Sequence, residues 1–205
     1  MAIRFYSWPR SSGFGAHWAL KELGLAYEYV RLDREKGEHR SAEYLAINPN
    51  GKIPALVDGE ERYFESLAIL LHLAERYGAA KGLWPAGGTQ QAEALSWTVW
   101  SATDLMPFML QYIYHGLDSP MSFDPPDRSR AAADYSFANS TWHFEMLEDR
   151  LRDRQFVLGA FSLADIAIAA ILGFGVMTGV PLGQRPALRA WLDRCNARPA
   201  RAGVE

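Results

Sequence analysis

The sequence predicts a chain in two parts, a small mixed α/β domain followed by an all-helical domain. In residues 1–78, short β-prone runs alternate with stretches of helical spacing. Residues 79–88 are rich in glycine and alanine, which is typical of a linker. Beyond them, apolar residues recur at helical spacing, so the second domain is predicted to span residues 89–205.

Composition excludes several classes of protein. The 205 residues are 49% hydrophobic, which is enough to bury a core, and the net charge of −3 offers no basic surface to nucleic acid. No apolar run approaches the ~20 residues of a membrane helix, and "MAIRFYSWPR" contains no signal-peptide pattern. The single cysteine, Cys195, excludes a disulfide within the chain. We therefore expect a soluble cytoplasmic protein with no nucleic-acid or membrane partner.

The first domain is predicted to run β-α-β, then an irregular link, then β-β-α. "IRFYS" and "AYEYVRL" are predicted strands, and the helix between them stops near Gly24. A charged loop and a short helical turn, "SAEYLAIN", form the link. Asp58-Gly59 predicts a hairpin between "IPALV" and "ERYF", and "SLAILLHLAERYG" is a predicted helix. Tyr6 is expected in the core.

The second domain is predicted to contain long helices. The first begins near Thr89, a candidate N-cap, and the next spans Asp127 to about Arg152. "SLADIAIAAILGFG" is apolar almost all round, as expected of a helix buried in a bundle. Ser162 and Asp165 at its start form S-x-x-D, a capping box with a purely structural role.

Pro54 begins an apolar run that otherwise resembles a strand. Proline cannot donate to a sheet ladder, so it belongs at a strand start or in a special turn. Physics alone favours the strand start. A cis Ile53–Pro54 bond is the alternative, and it would expose the backbone amide and carbonyl of Ile53 to a ligand.

Two polar pairs lie where strands give way to helices. Glu65 and Ser66 open a predicted helix, where Ser66 could cap it and Glu65 complement its dipole. Equally, the helix amides could bind a carboxylate and Glu65 an ammonium, which together suit an amino-acid ligand. Ser11 and Ser12 follow the first strand, where they could cap the next helix or face a ligand. The five histidines show no metal-ligand spacing.

The chain resembles the cytosolic glutathione transferases over nearly its whole length. "GEHRSAEYLAINPNGKIPALVDGEERYFESLAIL" resembles the glutathione-site stretch of that family, most of all in the plant phi class. "YSWPRSSG" is similar to the serine loop of the theta, phi and zeta classes. "SLADIAIAAIL" resembles the capping-box helix and "RPALRAWLDRCNARPA" the terminal helix. The resemblance implies a thioredoxin-like domain, a helical bundle, a homodimer, and glutathione as co-substrate without a metal.

The resemblance also implies a set of glutathione-binding residues: His39, Lys52, Ile53, Pro54, Glu65 and Ser66. In the family, the matching proline is cis and presents the residue before it to the cysteinyl backbone of glutathione. The Glu-Ser pair holds the γ-glutamyl end, and His39 and Lys52 match residues that contact the glycyl end.

The family activates the thiol of glutathione as a thiolate, here with a serine. Counting from Pro9 favours Ser11. Aligning "GAHWAL" with the beta-class pattern S-P-H-I-A-L at His17 instead puts the beta-class cysteine on Ser12. Ser11 is favoured, although the arginine that follows the family's serine is missing. A beta-like cysteine mechanism is excluded, since Cys195 is the only thiol.

The implied activity is conjugation of glutathione to small hydrophobic electrophiles. Their pocket would be lined around Trp97, Trp100, Met106 and Phe108. An isomerase, dehalogenase or peroxidase on the same fold is an alternative. A glutathione-binding scaffold with little turnover is another, but a scaffold has no need of the intact site residues.

Overall fold

The computed structural model describes residues 3–204, and the predicted domain ends at Met1 and Glu205 lie outside them. The described residues up to Ala86 and from Arg198 onward form one compact unit, and Gly87–Ala197 form the other. The first unit therefore includes most of the segment predicted as a linker. One reason is a hydrogen bond from Trp84 Nε1 to Glu75 Oε1, 2.9 Å, which ties that segment to the preceding helix.

The first unit contains a four-stranded mixed sheet, as predicted, in the order β2-β1-β3-β4. β1 and β2 are parallel, and the other two pairs are antiparallel. The Asp58-Gly59 hairpin is confirmed, because β3 and β4 pair directly and Gly59 has the positive φ, 67°, that this turn needs. The strands are β1 (Ile3–Ser7), β2 (Tyr27–Arg31), β3 (Ala55–Asp58) and β4 (Glu61–Phe64).

Helices cover the sheet of the first unit. Trp18, on the first helix, is completely buried, and so is Ile69 on the third. Gly24, at φ 62°, follows the end of the first helix, as predicted. Of the two interpretations of Glu65 and Ser66, the one in which Ser66 caps the third helix is wrong, because Ser66 is its first helical residue and Glu65 occupies the N-cap. The helices are α1 (Phe14–Glu22), α2 (Ala42–Leu45) and α3 (Ser66–Leu73), the last extended by a π turn over Ala74–Gly78.

The second unit is helical, as predicted, but two helix starts differ. The helix expected from Asp127 begins at Arg130, because the Ser129 side chain accepts a bond from the Ala132 amide, 3.2 Å, and caps it. Thr89 is not an N-cap and lies inside its helix. The helices are α4 (Gly88–Trp100), α5 (Met106–Gly116), α6 (Arg130–Leu151), α7 (Leu163–Thr178) and α8 (Pro186–Asn196).

A π turn at Ser101–Leu105, which the sequence analysis did not predict, joins α4 to α5. Pro107 gives a physical reason. A proline has no backbone N–H to donate to the preceding turn, and its ring collides with that turn's carbonyl. A wider turn relieves both problems.

The capping box of α7 is confirmed, and its two residues are buried within the second unit. Asp165 is fully buried. Its Oδ2 accepts from the Ser162 amide at 2.9 Å and from the Ser162 hydroxyl at 3.1 Å. Its Oδ1 accepts from Val157 N–H at 2.9 Å and from Trp191 Nε1 at 2.8 Å. The carboxylate thus joins α7, α8 and the loop before them.

Among the helices of residues 3–204, none is long and apolar enough to cross a membrane.

Candidate functional site

The sheet register brings three segments to one end of the first unit. Tyr6 of β1 pairs with Ala55 of β3, and Ala55 pairs with Phe64 of β4. Ser7, which follows Tyr6, Pro54, which precedes Ala55, and Glu65, which follows Phe64, therefore lie at the same edge of the sheet. Two of the predicted site residues thus meet at the end of β1, directly before the serine loop.

The Ile53–Pro54 bond is cis, which confirms the alternative that the resemblance favours over a plain strand start. The Ile53 amide has no hydrogen-bond partner among the residues described. The Ile53 carbonyl accepts from Ser12 Oγ at 3.0 Å. The amide is therefore available to a ligand, while the carbonyl is already bonded to the serine loop.

The two serines of the loop differ in their surroundings. Ser11 is half-buried; its Oγ lies 3.0 Å from Ser7 Oγ and accepts from Gly13 N–H at 3.2 Å. Ser12 is exposed and its hydroxyl proton is given to the carbonyl of Ile53. The proton of Ser11 can turn to a ligand without breaking the contact between the loop and Ile53.

Two buried side chains hold the backbone before Pro54. Tyr44 OH donates to the Lys52 carbonyl at 2.5 Å, and Asn48 Nδ2 donates to the same oxygen at 2.6 Å. Burial raises the pKa of Tyr44 to about 12, so its hydroxyl stays a donor at any physiological pH. The Lys52 ammonium is exposed and forms no ion pair with a described residue.

His39 lies in a short 3₁₀ turn, and its ring packs edge-on against Trp8, with ring centroids 5.5 Å apart. Its Nδ1 is buried without a hydrogen-bond partner within residues 3–204. A buried polar atom left unpaired costs free energy and calls for an explanation. A ligand that bonds to this nitrogen would supply one.

Glu65 and Ser66 begin α3 with their side chains unpaired in the described part of the chain. Glu65 is exposed and has φ 70°, a backbone conformation that a residue with a side chain rarely adopts. Arg10, next to Ser11, also has a positive φ, 57°. Strained backbone of this kind concentrates at functional sites.

Four neighbours of the predicted residues were missed by the sequence reasoning. Asn48 had a signal, because N-P-N-G predicts a turn whose first side chain bonds within it. Tyr44, Ser7 and Gly13 had none, since their roles depend on side-chain contacts that only the folded loops create. A Cβ at position 13 would lie 2.5 Å from Ser7 Oγ and 3.2 Å from Pro54 Cβ, so only glycine fits there.

The residues predicted to line an electrophile pocket are partly brought together. Trp97 and Trp100 make an edge-to-face contact, with centroids 5.3 Å apart. Trp100 and Phe108 both pack on His143 of α6, at 5.5 and 5.6 Å. Met106, predicted for the same pocket, is half-buried on α5. Three of the four therefore form one aromatic cluster between α4, α5 and α6.

No group of three or more metal-ligating side chains is placed to hold a metal ion among residues 3–204. A cavity of about 580 Å³ lies elsewhere in the first unit, lined by Arg4, Tyr6, Tyr44 and Arg62 among others, and none of the predicted site residues borders it. Tyr6 is buried there against Tyr44, as expected of a core residue.

Known proteins match this chain at the level of sequence and of fold. Family models for the glutathione S-transferase N-terminal and C-terminal domains match residues 1–75 and 105–199. Glutathione S-transferase GstB of Escherichia coli strain K12 is 34% identical, over 88% of this chain and 86% of that protein. Glutathione S-transferase F10 of Arabidopsis thaliana is 32% identical, over 98% of this chain and 94% of that protein.

The crystal structure of the theta class glutathione S-transferase of Xanthomonas axonopodis pv. citri with glutathione bound superposes with a TM-score of 0.83. Its sequence is 26% identical, and the match covers 99% of this chain and 97% of that one. These matches agree with the sequence motifs of the present chain and with its mixed sheet and helical second unit. The chain belongs to the glutathione S-transferase family.

Proposed function

We propose that this glutathione transferase binds glutathione at the sheet end formed by Pro54 and Glu65 and conjugates its sulfur to small hydrophobic electrophiles. One observation carries the proposal. The polar groups that match the family's glutathione-binding residues have no partner among residues 3–204, which supports the proposal. They are His39 Nδ1, the Lys52 ammonium, the Ile53 amide, the Glu65 carboxylate and the Ser66 hydroxyl.

Each group suits one part of the tripeptide. The Glu65 carboxylate accepts from the γ-glutamyl ammonium, while Ser66 and the first amides of α3 donate to the carboxylate on the same carbon. The Ile53 amide pairs with the cysteinyl backbone. Lys52 and His39 bind the glycyl carboxylate, which gives the buried Nδ1 its partner.

The chemical step is nucleophilic attack by sulfur. The cysteinyl thiol, with an ordinary pKa of ~8.5, loses its proton to solvent and remains as a thiolate that accepts a hydrogen bond from Ser11. The sulfur lone pair forms the S–C bond to the electrophile, and the leaving group departs with the electrons of its own bond to carbon. We place the electrophile against the aromatic residues of α4 and α5.

Replacement of the serines tests the mechanism. A hydrogen bond to a charged acceptor is worth roughly 1.5–3 kcal/mol, so Ser11→Ala should lower kcat/KM by about 10- to 100-fold. It should also raise the pKa of bound glutathione, with little change in glutathione KM. Ser12→Ala is the matched control. If Ser12→Ala changes rate and pKa while Ser11→Ala does not, the role passes to Ser12; if neither does, the serine mechanism is wrong.

We also propose a homodimer, supported by exposed aromatic residues on α6. Tyr135 is 64% exposed and Trp142 is 61% exposed. They are separated by seven positions, two helical turns, and so share one face of the helix. Large exposed aromatic side chains on one face are typical of a protein interface.

Light scattering at micromolar concentration tests this assembly. The wild type should have twice the 23.0 kDa mass of one chain, and Trp142→Glu should give monomers. Met177→Glu is the control, because Met177 is 71% exposed on α7 and should stay dimeric as glutamate. A monomeric wild type contradicts the proposal.

The transferase should work in the cytoplasm, where glutathione is kept as the thiol, and cell fractionation checks this location.

A further inference from the structure

Ser7, the last residue of β1, is buried behind the serine loop, with 2% of its surface exposed. Its hydroxyl lies 3.0 Å from Ser11 Oγ and 3.4 Å from the Trp8 carbonyl oxygen. The second distance exceeds the about 2.5–3.0 Å of a good hydroxyl–oxygen hydrogen bond. Ser11 is therefore the better partner of the Ser7 hydroxyl.

Gly13, the N-cap residue of α1, packs against the hydroxyls of Ser7 and Ser11. A Cβ there would lie 2.5 Å from Ser7 Oγ and 3.3 Å from Ser11 Oγ, so the backbone can approach only because the residue is glycine. The Gly13 N–H donates to Ser11 Oγ at 3.2 Å. The Ser11 oxygen thus already accepts one bond from the backbone.

The protons of the two hydroxyls can be ordered in two ways. A hydroxyl has one proton and two lone pairs. If Ser11 donates to Ser7, Ser7 must turn its proton to the distant Trp8 carbonyl, and Ser11 has none left for a ligand. If Ser7 donates to Ser11, the Ser11 oxygen accepts from both Ser7 and Gly13, and its own proton is free for the thiolate.

We propose that Ser7 is a positioning residue, which donates to Ser11 and so fixes the Ser11 proton on the sulfur of bound glutathione. This inference rests on the proposed function with Ser11 as the donor. Only hydrogen bonds reorient, and no proton leaves either oxygen. Donors to the Ser11 oxygen polarise its O–H bond and strengthen the bond that it gives, by on the order of 10–30% for each.

Ser7→Ala should therefore act on the sulfur and not on glutathione affinity. We expect kcat/KM to fall about two- to five-fold and the pKa of bound glutathione to rise by a few tenths of a unit. Glutathione KM should not change. Loss of a merely structural hydroxyl would lower the unfolding midpoint and leave the thiol pKa where it was.

The decisive experiment is a double-mutant cycle of Ser7→Ala and Ser11→Ala, read by thiolate absorbance of bound glutathione against pH. The proposal expects Ser7→Ala to raise the pKa in wild type and to have no effect once Ser11 is alanine. An equal effect in both backgrounds overturns it, as does an unchanged or lowered pKa in wild type. If Ser11→Ala itself leaves the pKa unchanged, the Ser11 mechanism fails and the role of Ser7 falls with it. If Ser11→Ala raises it but Ser7→Ala does not, only the role of Ser7 is refuted.

Two further variants separate a positioning role from a fold defect. Ser101→Ala removes another fully buried hydroxyl, which donates to the Thr98 carbonyl at 2.7 Å in the second unit. It should leave the thiol pKa unchanged. Should Ser7→Ala fold poorly, Ser7→Cys keeps a similar shape with only a weak donor, and its kcat/KM–pH profile should shift upward in the same way. A Ser7→Cys profile identical to wild type would refute the proposal.

Discussion

Glu65 combines an exposed carboxylate with a backbone conformation, φ 70° and ψ 123°, that favours glycine. Such strain costs about 1–3 kcal/mol at a residue with a Cβ. The role proposed for Glu65 requires the carboxylate, and glycine, which would relieve the strain, cannot supply it. The strain and the binding role can be separated by substitution.

Glu65→Gly should be more stable than Glu65→Ala by roughly 1 kcal/mol in chemical denaturation, since glycine relieves the positive φ. Both variants lose the carboxylate that we propose as the partner of the glutathione ammonium. Glutathione KM should therefore rise in both, and by more than kcat falls. Equal stabilities would show that the conformation is not strained, and an unchanged KM would remove Glu65 from the site.

Gly13 supports the serine loop by the absence of a side chain. Gly13→Ala should destabilise the protein and lower kcat/KM, because its methyl group would press on Ser7 Oγ, 2.5 Å away. Ser7→Ala removes that oxygen, so the double variant should regain part of the stability lost by Gly13→Ala. Thermal unfolding of the three variants measures this coupling. Additive losses would mean that the contact with Pro54 Cβ, at 3.2 Å, dominates instead.

At the scale of elements, α6 packs on α4 and α5 through a buried histidine. His143 is 2% exposed, and its Nδ1 has no partner in the described part of the chain. Burial lowers the pKa of His143 below its ordinary 6.5, opposed by the nearby carboxylate of Asp104. The unfolded chain therefore binds this proton more readily than the folded one.

Stability should consequently fall as pH drops below about 6.5, by at most ~1.4 kcal/mol per pH unit. The sign follows from the lowered pKa, since protonation of His143 favours the unfolded state. His143→Phe should remove this part of the pH dependence, with denaturation compared at about pH 7.5 and about pH 5.5. A variant that keeps the full wild-type slope would assign the effect to other groups.

The elements that could be predicted from the sequence are those with local signals. Asp58-Gly59 fixed the hairpin, and Ser162 with Asp165 marked the start of α7, because turn and cap chemistry acts between near neighbours. The π turn after Trp100 was missed although Pro107 signalled it. Family motifs, rather than periodicity, identified Ile53 and Glu65. Ser7 and Gly13 were not predicted, since their roles depend on how the loop after β1 folds back on the end of that strand.

At the scale of the whole molecule, the chain returns to its first unit at the end. Arg198 Nε donates to Glu22 Oε1 at 2.9 Å, and Trp18 Nε1 donates to Glu22 Oε2 at 3.2 Å. The Glu22 side chain is only 6% exposed. Arg201 lies over the ring of Phe14, 5.3 Å from its centroid, at the start of α1. The last residues therefore hold the helix that follows the serine loop.

Arg198→Ala should be strongly destabilising, by about 3–5 kcal/mol, because it leaves the carboxylate of Glu22 buried without its cation. Glu22→Gln in the same chain should recover part of that loss. Arg130→Ala is the control: its pair with Asp134 has side chains 89% and 64% exposed, and its loss should cost under about 0.5 kcal/mol. Similar losses for Arg198→Ala and Arg130→Ala would contradict the structural role of the C-terminal segment.

The pairing of Glu22 with Arg198 spans 176 positions of sequence, and this separation has a consequence for synthesis on the ribosome. The sheet of the first unit is complete once Phe64 has been added, but Arg198 is translated only after the whole of Gly87–Ala197. In the nascent first unit, Glu22 therefore lacks its contact with Arg198 while the whole helical unit is translated. A stop codon just before Arg198 would release a chain whose two units are nearly intact but whose α1 lacks these contacts.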